Sequence, residues 1–244
     1  GSILAHAIHS ASRGQPVVIV AALCNKCSAL VVKNGEGIEN VSDLKSKKIG
    51  YVPGTMHEIL LRETLTRNGL SPQKDVHLMR VDFFDMGMAL AKGDIQAFLS
   101  GEPFPTLAVQ NGYGKILSYP YYDQSIGTIN ACMLVKKSNL QRNPDKIEAL
   151  IRAHAKTTKF LNKRTDKWLS RAAEFGTSLE VLQKALPNIQ LAWEMDQTFI
   201  SRTKALGKRM QYLGLISRQP DYNRLFDLSL IRQVKNELNQ DPAR

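Results

Sequence analysis

The run Lys48-Ile49-Gly50-Tyr51-Val52-Pro53-Gly54-Thr55-Met56-His57-Glu58-Ile59-Leu60-Leu61 decides the fold class. Its opening is a short apolar stretch closed by Pro53-Gly54, which reads as a strand ending in a turn. Thr55 then offers a hydroxyl to cap a helix over 56–68. On that helix Ile59, Leu60 and Leu65 share a face before Gly69 stops it. The alternation continues with a strand over 76–81, a helix over 84–91 ended by Lys92-Gly93, and a strand over 95–99. Upstream, 17–23 and 28–33 read as strands, and Ser42-Asp43-Leu44 as a capped helical turn. Residues 2–13 read as an amphipathic helix with Ser2 as its N-cap. Strands and helices at this interval predict a parallel or mixed sheet with helices on both faces.

From Asn143 the pattern changes. Asn143-Pro144-Asp145 opens a helix on which Ile147, Leu150, Ile151, His154 and Thr158 recur at three- and four-residue spacing. Further helices are expected over 165–175, 178–186, 195–213 and 224–238, with no strand after Val135. The chain therefore reads as α/β in its first half and helical in its second.

Composition narrows the function. The 244 residues are 43% hydrophobic and 23% charged, which is globular usage. No stretch approaches the roughly 20 apolar residues of a membrane span, and the start lacks the basic-then-apolar pattern of a signal peptide. The formal charge of +11 is scattered rather than gathered into basic runs interleaved with aromatics, so no nucleic-acid partner is expected. Cys24-Asn25-Lys26-Cys27 has the spacing of a metal or redox half-site. No second Cys pair or close His pair completes it, and Ser28 stands where haem attachment needs His. No nucleophile elbow, phosphate loop or His-Glu-x-x-His motif occurs. Neither a catalytic residue, a metal nor a cofactor is expected.

In open α/β sheets ligands gather beyond the carboxyl ends of the strands. Three loops fall there: Pro53-Gly54-Thr55-Met56-His57, Asp82-Phe83-Phe84-Asp85 and Gly101-Glu102-Pro103-Phe104-Pro105. Each combines a residue that shapes a pocket with a polar or aromatic side chain. Each also has a plain structural account, since Thr55, Asp82 and Asp85 can cap helices and the Phe residues can sit in a core.

Several segments in order resemble the nitrate/sulfonate/taurine-type solute-binding proteins of ABC importers, including relatives that bind thiamine-pyrimidine precursors. They are 13–21, Val41 to Gly50, Pro53-Gly54-Thr55 with the following helix, 88–97 and Glu102-Pro103-Phe104; the tail from Asn143 is similar too. The resemblance implies a two-lobed periplasmic-binding-protein-like α/β fold (type II) with ligand in the cleft. Lobe 1 would hold 1–30 and 132–244, and lobe 2 would hold 31–131, with crossings at 28–33 and 131–135. Such proteins usually have a further strand-helix-strand opening before the segment matched by Gly1-Ser2, so part of lobe 1 is expected to be missing.

The same resemblance implies that Ser2, Cys24 and Asn25 face the ligand from lobe 1, with Thr128 near the hinge. Thr55, Met56, His57, Phe84 and Glu102 would face it from lobe 2. Ser2 and Thr55 would receive an anionic group, Met56 and Phe84 would line an apolar part, and His57 and Glu102 would hydrogen-bond polar atoms. The implied protein is an extracytoplasmic carrier of a small organic anion or heterocycle, partnered with a membrane permease and performing no chemistry. The alternatives are a pyrimidine-forming enzyme of the same fold and a ligand-sensing domain.

Overall fold

A computed structural model describes residues 2–120 and 126–240. In chain order the elements begin β1 (Ser2–Ile3), α1 (Leu4–Ser12), β2 (Val17–Lys26), β3 (Ser28–Lys33), β4 (Lys48–Tyr51), α2 (Met56–Arg67), β5 (His77–Arg80) and α3 (Met86–Lys92). They continue with β6 (Ala97–Gly101), α4 (Phe104–Gln110), β7 (Gly114–Ser118), β8 (Ala131–Lys136), α5 (Lys137–Arg142), α6 (Pro144–Lys163) and α7 (Thr165–Ala173). The last are α8 (Leu179–Ala185), β9 (Gln190–Leu191), α9 (Gln197–Tyr212), α10 (Tyr222–Leu225) and α11 (Ser229–Gln240).

The α/β expectation holds, with local corrections. Ser2 does not occupy the N-cap position: its backbone pairs with Cys132 in β1, and Ile3 precedes the helix without a side-chain cap. β7 and the two-residue β9 are strands that the sequence pattern does not announce. β7 exists because β3 offers it an antiparallel edge, and β9 lies beside β2 in its sheet.

Two compact units result. The first comprises Gly1–Asn25, Thr128–Trp168 and Gln190–Arg244; the second comprises Lys26–Gly127 and Leu169–Ile189. The chain passes between them beside, not within, the strands expected to cross. β3 is interior to the second unit's sheet, and β8 is interior to the first's. Leu169–Ile189 groups with the second unit rather than with the other C-terminal helices. There α8 packs on α4, and the Asn188 amide donates to the Ser28 carbonyl at 3.2 Å.

In the first unit the sheet order is β1-β8-β2-β9. β2 and β8 run antiparallel, with irregularities between Ile19 and Ala21 and between Ala22 and Cys24. Helix α1 buries Leu4, Ala7 and Ile8, and α9 buries Phe199, Leu206 and Met210. His154 on α6 brings Nε2 to 2.9 Å from the Ala22 carbonyl and 3.1 Å from that of Ala192. Both partners are acceptors, so Nε2 carries the proton and ties the helix to the sheet.

The second unit holds a five-stranded sheet of order β5-β4-β6-β3-β7. β4 runs parallel to β5 and β6, while β3 is antiparallel to β6 and β7. Phe98 and Val31 pack with Met86, Leu90, Ile95 and Ala108 from the flanking elements in one buried cluster. Gly114 opens β7 where a Cβ would lie 2.5 Å from the Val32 carbonyl oxygen and 2.9 Å from Leu90. Gly114→Ala is therefore expected to cost about 1–3 kcal/mol, because backbone must move. The check is a lower urea midpoint at unchanged slope.

Candidate functional site

The carboxyl ends of β4, β5 and β6 lie in the second unit, and five candidates, Thr55, Met56, His57, Phe84 and Glu102, follow them. Thr55 caps α2: its hydroxyl accepts from the Glu58 N–H at 3.3 Å and donates to the Val52 carbonyl at 2.7 Å. Glu58 accepts from the Gly54 N–H at 2.6 Å and pairs with Arg62 at 2.8 Å. The Thr55 hydroxyl is thus already engaged in the local turn. Met56 is wholly buried with the core.

His57 follows in the first turn of α2 and points inward. It is 6% exposed, and neither ring nitrogen has a hydrogen-bond partner. Burial drives its pKa down from 6.5 to about 4, so the imidazole is neutral. A side chain on Gly101 would place Cβ 3.2 Å from Nε2, so the bare glycine lets β6 pass close to the ring. Leaving a buried polar group unpaired costs about 1–3 kcal/mol, which the fold must supply from elsewhere.

An aromatic row leads away from His57. Phe83 meets the imidazole edge-on at 5.3 Å and lies nearly parallel to Phe104 at 6.4 Å. Phe84 meets Phe104 edge-on at 5.3 Å and is 82% exposed, a large apolar ring left in water. Such exposure of a large aromatic ring is a feature of binding surfaces.

Glu102 closes the group. The peptide bond to Pro103 is cis. Its carboxylate accepts from the Thr106 N–H at 3.2 Å and from the Asn188 amide at 3.1 Å. Burial raises its pKa, against the opposing pull of these two donors. The Asn188 carbonyl oxygen is itself buried without a partner. So two unpaired acceptor or donor groups, His57 and Asn188, occur in one unit with a desolvated carboxylate.

In the first unit, Asn25 and Thr128 line a polar cavity of about 410 Å³ with Asn162, Trp193, Glu194 and Arg202. Arg202 donates to both the carbonyl and the hydroxyl of Thr128, at 3.0 and 2.6 Å. Cys24 stands on β2 across from Ala131, past the irregularity. The Ser2 side chain lies outside the described residues. None of the three cysteines forms a disulfide. Among the described residues, no group of three or more His, Cys, Asp and Glu is arranged to hold a metal ion.

Asn188 and Arg202 carried no signal in the sequence. Asn188 sits in a Leu-Pro-Asn turn far along the chain, and only tertiary contact brings it to Glu102. Phe83 and Phe104 were visible as aromatics in the right loops, but their stacking was not.

Comparisons with known proteins agree with this architecture. The nitrate import ATP-binding protein NrtC of Synechococcus elongatus is 36% identical over 101 residues, covering 41% of this chain and 15% of that protein. The 4-amino-5-hydroxymethyl-2-methylpyrimidine phosphate synthase of Schizosaccharomyces pombe is 26% identical over 169 residues, covering 64% and 48%. The chain therefore spans at most about half the length of either relative. Among solved structures, the periplasmic aliphatic sulphonate binding protein SsuA from Escherichia coli superposes with a TM-score of 0.76 at 16% identity, covering 91% of this chain and 77% of that one. The fold is thus that of periplasmic solute-binding proteins. The model of the family described as NMT1/THI5 like matches residues 4–167, about two thirds of the sequence, and the chain belongs to that family.

Proposed function

We propose that this protein captures a small solute for an ABC import system, outside the cytoplasm, and delivers it to a membrane permease. The observation that carries the reading is His57: a neutral imidazole, buried, with both nitrogens unpaired, at the end of an aromatic row. A bound solute that hydrogen-bonds to His57 would recover free energy that the empty protein forgoes. The exposed ring of Phe84 suits a planar organic solute. Glu102, desolvated nearby, disfavours a small inorganic oxyanion. A planar nitrogen heterocycle fits this chemistry better than nitrate does.

A thermal-shift panel of nitrate, alkanesulfonates, aromatic carboxylates and pyrimidines tests the reading. A solute that binds only the folded form raises the melting temperature in proportion to the logarithm of its concentration. The expected result is a shift with one of the organic classes, diminished in Glu102→Ala and in Asn188→Ala. No shift with any class would remove the basis for a carrier.

The match to the fission yeast synthase favours a second reading, an enzyme acting on a pyrimidine precursor at His57. Mass spectrometry of the solute after prolonged incubation separates the two. A carrier returns it unchanged; an enzyme consumes it.

A further inference from the structure

The formal charge is divided unequally between the two units. The first carries 20 Lys and Arg against 9 Asp and Glu, which accounts for the whole +11; the second carries 13 of each. In the first unit α6 carries five Lys and Arg against two acidic residues, and α9 carries four against none. Helix α6 is held by one face, which buries Ile151, Ala155 and Thr158. Arg152 on its flank pairs with Glu148 and with Glu237 of α11.

A helix advances about 100° per residue, so the side opposite Ile151, Ala155 and Thr158 can be read directly. Ala149, Ala153 and Phe160 run along its middle. Leu150 lies at one margin. Lys146 and Arg164 flank this line on one side, and Lys156 and Lys163 flank it on the other. All these residues are exposed, with Leu150 and Phe160 each 51% accessible. Arg164 is paired with Asp166 at 2.9 Å, and Asp145 is the acidic residue on the Lys163 side.

This is not the pattern of a helix face made only for water, which would be polar along its centre. An apolar line bordered by long cationic side chains matches a helix lying in a lipid–water interface. Its lysines reach outward to anionic headgroups while their stems cover the apolar strip. We infer that the outer face of α6 docks on an anionic lipid bilayer surface, lying in the interface without crossing it. In keeping with this, no described helix is long and apolar enough to span a membrane.

The test is flotation of the full chain with vesicles of phosphatidylcholine alone and of phosphatidylcholine with one quarter phosphatidylglycerol, at 50 and 500 mM salt. Binding is expected only to the anionic vesicles, and at least tenfold weaker at high salt, since screening shortens the reach of surface charge. The variant Lys146→Glu/Lys156→Glu/Lys163→Glu should abolish it, and Phe160→Ser should weaken it several-fold. The control Arg13→Glu/Lys208→Glu/Arg232→Glu removes the same charge from elsewhere on the first unit and should retain most binding. Circular dichroism confirms that each variant folds. Equal loss in both triple variants would mean diffuse attraction and overturn the assignment to α6. So would equal binding to neutral vesicles, or binding to a duplex oligonucleotide with none to vesicles. These outcomes are independent of the solute site.

Discussion

Replacing His57 by leucine is expected to stabilise the folded protein while abolishing solute capture. Most buried substitutions instead destabilise, because the replacement loses contacts. Here the native residue is buried with both ring nitrogens unpaired, so it holds an uncompensated desolvation cost. Leucine is of similar size and has no polar atom to satisfy, and such replacements are neutral or stabilising. A gain of about 1–3 kcal/mol is expected, seen as a melting temperature several degrees higher. A histidine whose ring nitrogens found partners in the folded protein would predict the opposite, a loss of stability. The same substitution removes the hydrogen bonds proposed for the solute, so a stabilised variant that no longer shifts with the hit compound identifies strain kept for function.

Acidification provides the second large effect. In the unfolded chain His57 titrates near 6.5, and in the folded protein near 4. Between those values the unfolded state takes up a proton that the folded state refuses. This group therefore adds no pH-dependent penalty above pH 6.5, and the folded state loses stability as pH falls toward 4, by on the order of 3 kcal/mol. Glu102 acts with the opposite sign. Its raised pKa means that the folded state keeps a proton which the unfolded chain has released, so its contribution is present at low pH and lost as pH rises. Urea titrations at pH 7 and pH 4.5 in a Glu102→Gln background isolate the histidine. The slope attributable to His57 should vanish in His57→Leu, and its persistence would place the acid sensitivity elsewhere.

Much of the second unit was legible because its rules are local. A short apolar run, Pro53-Gly54, a capping Thr55 and a Gly69 stop each act within a few residues, and β4 with α2 formed where they indicated. The loops at the carboxyl ends of β4, β5 and β6 followed from that alternation, and with them the positions of His57, Phe84 and Glu102 in the chain. What sequence could not show depends on contacts between distant segments. Nothing near Asn188 indicates that it donates to Glu102, 86 positions away. Nothing near Leu169–Ile189 indicates that this helical stretch joins the unit built around β3. Ile3 and not Ser2 stands at the N-cap because β8, far along the chain, offers the Ser2 backbone a strand partner, a case of tertiary pairing overriding a local signal. Thr55 was placed correctly in the chain, but its hydroxyl serves the turn and not an open surface.

The most direct test of the central claim is calorimetric titration of the hit compound into the native protein and into His57→Leu, each verified as folded. The account predicts saturable one-to-one binding to the native protein and an affinity at least a hundredfold weaker in the variant, whose melting temperature is the higher of the two. Unchanged affinity in a folded His57→Leu would contradict it, because the unpaired imidazole would then have no part in holding the solute.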